Sequence, residues 1–192
     1  MTSATAQAVH GRALSGRAAA GVLVLVGLCV SLALGVYAHA HTPSGRPIFK
    51  LWFSGMLQMK VWLTTAALLL VMVQLATALW MWGRLPGGGA APAWVPIAHR
   101  WSGAVAFGLT VPVAVHCMWS LGFGTQNARV VVHSVAGCLF YGAYAAKMLG
   151  LRMRGLPGWT LPVLGGTVLT LVVTLWLTAA LWFFTRSGLP LS

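Results

Sequence analysis

Long apolar runs separated by single basic residues set the pattern of this chain. A bilayer core about 30 Å thick takes roughly 20 apolar residues of helix to cross. Five stretches meet that length. They are GVLVLVGLCVSLALGVYAHA after Arg17, VWLTTAALLLVMVQLATALWMW after Lys60, WSGAVAFGLTVPVAVHCMWSLGF after Arg100, VVVHSVAGCLFYGAYAA between Arg129 and Lys147, and WTLPVLGGTVLTLVVTLWLTAALWFF before Arg186. The fourth is short, and its two flanking basic side chains can snorkel outward. The pattern predicts an all-α, integral-membrane five-helix bundle over residues 19–186, with helices near 19–40, 60–82, 99–122, 129–149 and 159–185. Residues 1–18 and 187–192 read as tails.

Tryptophan prefers the membrane–water interface, so it tests these boundaries independently. Of the ten tryptophans, all but Trp176 fall near a proposed helix end. The connections are short. Segment 83–98 is a Gly/Pro loop whose triple Gly lacks the Gly-Lys-Ser/Thr of a phosphate cradle. Segment 41–59 is the longest connection, and GFGTQNA links the third and fourth spans. Arg12 and Arg17 ahead of an apolar run ending in Ala38-His39-Ala40 resemble a secretory signal. The run is longer than a signal's apolar core, which favours an uncleaved first helix. Seven basic residues (Arg12, Arg17, Arg84, Arg100, Lys147, Arg152, Arg154) fall on one side of the membrane and five (Arg46, Lys50, Lys60, Arg129, Arg186) on the other. The positive-inside bias then puts the amino terminus in the cytoplasm and the carboxyl terminus outside the inner (plasma) membrane.

Composition narrows the chemistry. The chain has twelve Lys or Arg and no Asp or Glu. Paired-carboxylate hydrolysis, Ser-His-Asp catalysis, two-metal phosphoryl transfer, EF-hands and carboxylate proton relays are all excluded. The mean hydropathy of +0.86 makes lipid the main solvent. A charge of +12 raises nucleic acid as a partner, but the basic residues are isolated markers between apolar runs and form no polar patch.

Three cysteines, Cys29, Cys117 and Cys138, lie within spans without a Cys-x-x-Cys, and read as small apolar fillers. Among the histidines, His10 lies in the tail, and His39 and His41 are interfacial. His99, His116 and His133 are placed in the spans, where an ionisable group needs a partner. The usual carboxylate is missing. A haem iron would take an imidazole nitrogen, and its propionates want cations. His116 and His133 fall at matching depth, roughly 6–8 Å below one surface at 1.5 Å per residue. Gly137, one turn below His133, leaves flat space, and Arg129, one turn above, suits a propionate. Pro112 should kink the third span nearby. His99 lies about 25 Å along the helix from His116, so it cannot share that haem. Its neighbour Arg100 would serve a second haem only. One haem b, with His116 and His133 as axial ligands, is therefore favoured over two.

At His99-Arg100-Trp101-Ser102-Gly103 and His133-Ser134-Val135-Ala136-Gly137 the chain resembles the cytochrome b561 superfamily, whose helices begin with haem-binding His in His-Arg-x-x-Gly and His-x-x-x-Gly forms. The likeness covers residues 99–150 and implies haem ligation by such histidines. Spans one and two lack the cognate histidines, and His116 is the evident substitute. Through His41-Thr42-Pro43, Met59-Lys60-Val61-Trp62, HRWSG and VHSVAGCLFYGAYAAKML the chain also resembles a family of small bacterial multi-pass membrane proteins without assigned function. The expected role is a b-type cytochrome exchanging electrons with quinol or an outer-face, periplasmic redox protein. The competing expectation is a haem-free accessory or scaffold subunit packed beside other membrane subunits.

Overall fold

A computed structural model describes residues 15–188. Five helices are long and apolar enough to cross a membrane: α1 Gly16–Ala40, α2 Met56–Met81, α3 Trp94–Leu121, α4 Ala128–Gly150 and α5 Thr160–Ser187. The chain is an all-α, multi-pass membrane protein. Side chains such as Leu25, Leu32 and Leu69 point outward from the bundle, where lipid makes them inexpensive.

Three helices start three or more residues earlier than the charge spacing predicts, α1 at Gly16, α2 at Met56 and α3 at Trp94. Not every basic residue marks a boundary: Lys60 lies inside α2 and is buried. Pro96 sits in the first turn of α3, where the backbone N–H has no intrahelical partner to lose. The 83–98 segment is therefore loop only as far as Ala93. Side-chain caps form at two starts. Ser15 Oγ accepts from Ala18 N–H at 3.3 Å, and Asn127 Oδ1 accepts from Val130 N–H at 3.1 Å.

Helices α2 to α5 surround a core of Val71, Ala106, Phe140, Val168 and Val172. α2 pairs with α3, α4 pairs with α5, and α1 lies outside this bundle along α4. The α1–α4 seam is a small-residue contact. A Cβ added at Gly142 would come within 2.2 Å of the Gly27 carbonyl, and Gly27 in turn lies against Ala146. α3 and α4 meet through rings: Phe107 stacks on Tyr144 with centroids 3.9 Å apart. The Tyr141 hydroxyl donates to the Thr110 carbonyl at 2.9 Å. Trp176, the one mid-span tryptophan, donates its indole N–H to Thr65 Oγ1 of α2 at 3.0 Å, which satisfies a polar group that lipid would leave bare.

The α1–α2 and α3–α4 connections lie at one end of the bundle, the first-loop end. The α2–α3 and α4–α5 connections lie at the other. At the first-loop end two helices widen into π turns, Cys117–Leu121 in α3 and Leu177–Leu181 in α5. The first follows Pro112 by five residues, the place where a proline disturbs the ladder. The end of α3 leaves carbonyls unpaired, and the 41–55 segment folds over them. Ser44 N–H donates to Trp119 O at 3.2 Å, and Gly45 N–H to Ser120 O at 3.0 Å. Gly122, at φ +70°, turns the chain against Pro43, where a Cβ would be only 2.7 Å from the proline ring.

Candidate functional site

His133 stands one turn into α4, with its Nδ1 3.0 Å from Thr178 Oγ1 of α5. Thr178 gives its own hydroxyl proton to Thr174 O at 2.7 Å. It therefore accepts from the imidazole, and the Nδ1–H tautomer is set. This leaves the Nε2 lone pair for another group. The Cys117 thiol of α3 lies beside the same imidazole, and Lys60 of α2 lies beside that thiol. Four helices thus bring one side chain each to a point near the first-loop end.

Arg129, one turn above His133, donates through its guanidinium to the Thr178 carbonyl. It also lies 4.0 Å over the Trp182 ring. One threonine of the α5 π turn therefore holds both the arginine and the histidine. The widened turn is what offers its hydroxyl and its carbonyl together. Below His133, a Cβ at Gly137 would make ordinary van der Waals contact with Leu175 Cδ2 at 3.9 Å, so α5 covers that face of α4 and leaves room for a methyl group.

His116 is differently placed. It is fully buried, its Nδ1–H donates to Pro112 O at 2.8 Å, and its Nε2 accepts from Phe49 N–H at 3.4 Å. The Phe49 ring covers it edge-on at 4.5 Å between centroids. Both nitrogens are committed to backbone, so His116 fixes the 41–55 segment onto α3. The depth match read from the sequence holds one residue further on, because Cys117 rather than His116 is the α3 residue beside His133.

His99 sits toward the opposite end, half-buried. Its Nδ1 is 2.8 Å from Thr77 Oγ1, which itself donates to Val73 O at 2.7 Å. The tautomer is set as in His133. Gln74 of α2 donates to the His99 carbonyl and, at 2.8 Å, to Ser102 Oγ. Gly103 makes room for that amide: a Cβ there would lie 2.9 Å from Gln74 Oε1. Lys147 of α4 is within electrostatic reach of His99, and Arg100 is exposed. His39 meets Phe123, while His41 stacks between Tyr37 and Trp119, so the two do not aim at one point. His10 lies outside the described residues.

Cys29 is exposed and Cys138 lies 3.7 Å from the Cβ position of Gly35, both as apolar fillers. Cys117 is the exception. Among the described residues no three His or Cys side chains converge as a metal site. The group at the first-loop end is instead a thiol, an imidazole and an amine. Sequence reasoning missed Lys60, Cys117 and Thr178 because only histidines were compared for depth. Comparing the depth of every polar residue brings Lys60 and Cys117 to the level of His133, whereas nothing in the sequence marks out Thr178.

A family of unknown function, DUF6529, matches residues 19–191. The chain belongs to that family. No curated protein and no solved structure matches it. In this DUF6529 member the match runs over all five helices, so both tautomer-fixed histidines lie inside it.

Proposed function

We propose that this chain is a b-type cytochrome of the inner (plasma) membrane, with His133 as a haem ligand near the first-loop end. The observation that carries the reading is the dressing of His133. Its Nδ1–H is held by a threonine of the neighbouring helix and its Nε2 is left without a backbone partner, which is how metal-binding imidazoles are oriented. The surroundings fit a haem in two respects: a cation at Arg129 and no carboxylate to repel a propionate. His116 does not fit as the second ligand, since both its nitrogens are taken. Bound there, haem supplies a one-electron iron couple. The chain's own work is to orient His133, to keep water from it and to place Arg129.

The aromatic contact of Phe107 with Tyr144 lies between His133 and His99, and the excess of seven basic residues over five supports a first-loop end on the outside. Quinol or an outer-face redox protein is the electron partner this geometry favours. The purified protein should show a reduced-minus-oxidised Soret and α band that His133→Ala removes. A colourless, haem-free preparation from haem-sufficient cells overturns the proposal. Orientation is read separately. A membrane-impermeant maleimide should label Trp52→Cys on spheroplasts and Gly89→Cys only after lysis, and the reverse pattern inverts the assignment.

A further inference from the structure

We propose that residues 46–52 of the α1–α2 connection form an anionic-phospholipid site within the headgroup layer at the first-loop end. Arg46 and Lys50 take the lipid phosphate, and Ile48, Leu51 and Trp52 enter the leaflet beside it. The site does not rest on the haem reading.

Depth is the first observation. Ser44 N–H donates to Trp119 O and Gly45 N–H to Ser120 O, at the level of an exposed tryptophan of the kind that marks a membrane surface. Four residues on, Phe49 N–H donates to His116 Nε2 at 3.4 Å, and its ring lies edge-on against that imidazole. His116 precedes Ser120 by four positions of α3, so the segment descends roughly 6 Å along the helix between these contacts. The connection dips into the leaflet instead of standing above it in water.

The dip also carries an apolar face. Ile48 and Leu51 are half exposed and Trp52 is 84% exposed. Leu51 holds φ +50°, the one positive φ outside glycine among the described residues. A bulky side chain is strained there. The turn that fixes it is closed by Phe53 N–H donating to Lys50 O at 3.1 Å, and it leaves both Leu51 and Trp52 facing outward. Apolar side chains of this size grouped on one surface mark a binding face, and at this depth lipid meets it.

The third observation is an unmet polar demand. Among the described residues, the backbone N–H groups of Ile48, Lys50, Leu51 and Trp52 find no acceptor. Irregular backbone at membrane depth needs partners that hydrocarbon cannot supply. Arg46 and Lys50 are exposed, and the chain has no carboxylate to pair with either. A phospholipid supplies phosphate and ester oxygens for the amides and negative charge for the two cations, whose long stems can snorkel up to it. Water satisfies the amides but brings neither the charge nor the acyl chain. An acidic protein approaching from water would meet the cations but not a face that lies below Trp119.

The experiment uses the full chain. In nanodiscs, with Cys29, Cys117 and Cys138 replaced by Ser, a bimane on Ile48→Cys should be quenched by lipids brominated on the upper acyl chain and hardly by iodide in the water. In detergent, native mass spectrometry should show phosphatidylglycerol retained roughly 10- to 30-fold more tightly than phosphatidylcholine, as two charges near the surface give. Arg46→Gln with Lys50→Gln should abolish that preference, and Lys50→Gln alone should lower it about 5-fold. Arg186→Gln, at the same end but outside the segment, should keep it. Quenching by iodide alone, equal retention of the two lipids, or an equal loss in Arg186→Gln each overturns the proposal. Displacement of the lipid by inorganic phosphate shows a free-anion site and overturns the lipid assignment. Iodide quenching that polyglutamate suppresses gives the surface to an acidic protein instead. The quenching arm keeps both cations in place, so the test survives a charge variant that fails to fold.

Discussion

Thr178 shows how much a single residue can organise in a membrane interior. Its hydroxyl accepts from His133 and its carbonyl from Arg129, so one π-turn residue of α5 sets the tautomer of one group and the position of another. Thr178→Val keeps the shape and removes the acceptor. The stranded imidazole N–H should cost about 1–3 kcal/mol, and on the proposed site haem affinity should fall roughly 10- to 100-fold in a titration. Unchanged affinity would mean that His133 is not held through Thr178. Arg129→Gln should weaken haem retention on the order of 1–3 kcal/mol, as for charge-assisted contacts, and lower the potential, because removing a cation disfavours the reduced, more negative centre. Arg100→Gln, on an exposed residue at the other end, should leave that spectrum unchanged. His133, Arg129 and Gly137 were legible in the sequence because periodicity along one helix places them on one face. Thr178 was not, since its bond spans 45 residues and nothing local distinguishes it from the threonines that only bond their own helix.

The helices themselves were legible, because twenty-residue apolar runs have one outcome in lipid. Their partners were less so. In lipid the apolar effect does not drive helix pairing, and small residues and hydrogen bonds decide it. Gly27, Ser31, Gly142 and Ala146 form the α1–α4 seam by a spacing that many other glycines in this chain share. Two glycines of α4 therefore make opposite predictions. Gly142→Val forces side-chain atoms onto the Gly27 carbonyl and should destabilise by about 1–3 kcal/mol or more, read as a lower midpoint in thermal unfolding. Gly137→Ala meets nothing closer than 3.9 Å and should leave that midpoint in place. Equal stability of both variants would show that α1 does not pack on α4 as described.

At the scale of the molecule, the two tautomer-fixed histidines stand at opposite ends of the bundle, and they are not equivalent. His99 and Cys117 lie 18 positions apart on α3, roughly 27 Å at 1.5 Å per residue, so no single cofactor touches both ends. Around His133 the helices supply a thiol and an amine. Around His99 they supply the Thr77 hydroxyl and the Gln74 amide, and Lys147 brings charge. On the haem reading, the first-loop end offers the iron one imidazole, His133, with the cation Arg129 one turn above it. His99 shares the threonine-held Nδ1, and what sets it apart is its surroundings: Gln74 ties its backbone to Ser102 and the nearby cation is Lys147 of another helix. One haem per chain is the resulting expectation. His99→Ala should leave the reduced-minus-oxidised spectrum and a one-to-one haem content unchanged, with a loss of stability from the broken contact to Thr77. A content of two haems, falling to one in both His99→Ala and His133→Ala, would show a second centre at the other end. It would also turn the Phe107–Tyr144 stack from packing into the bridge of a transmembrane electron path.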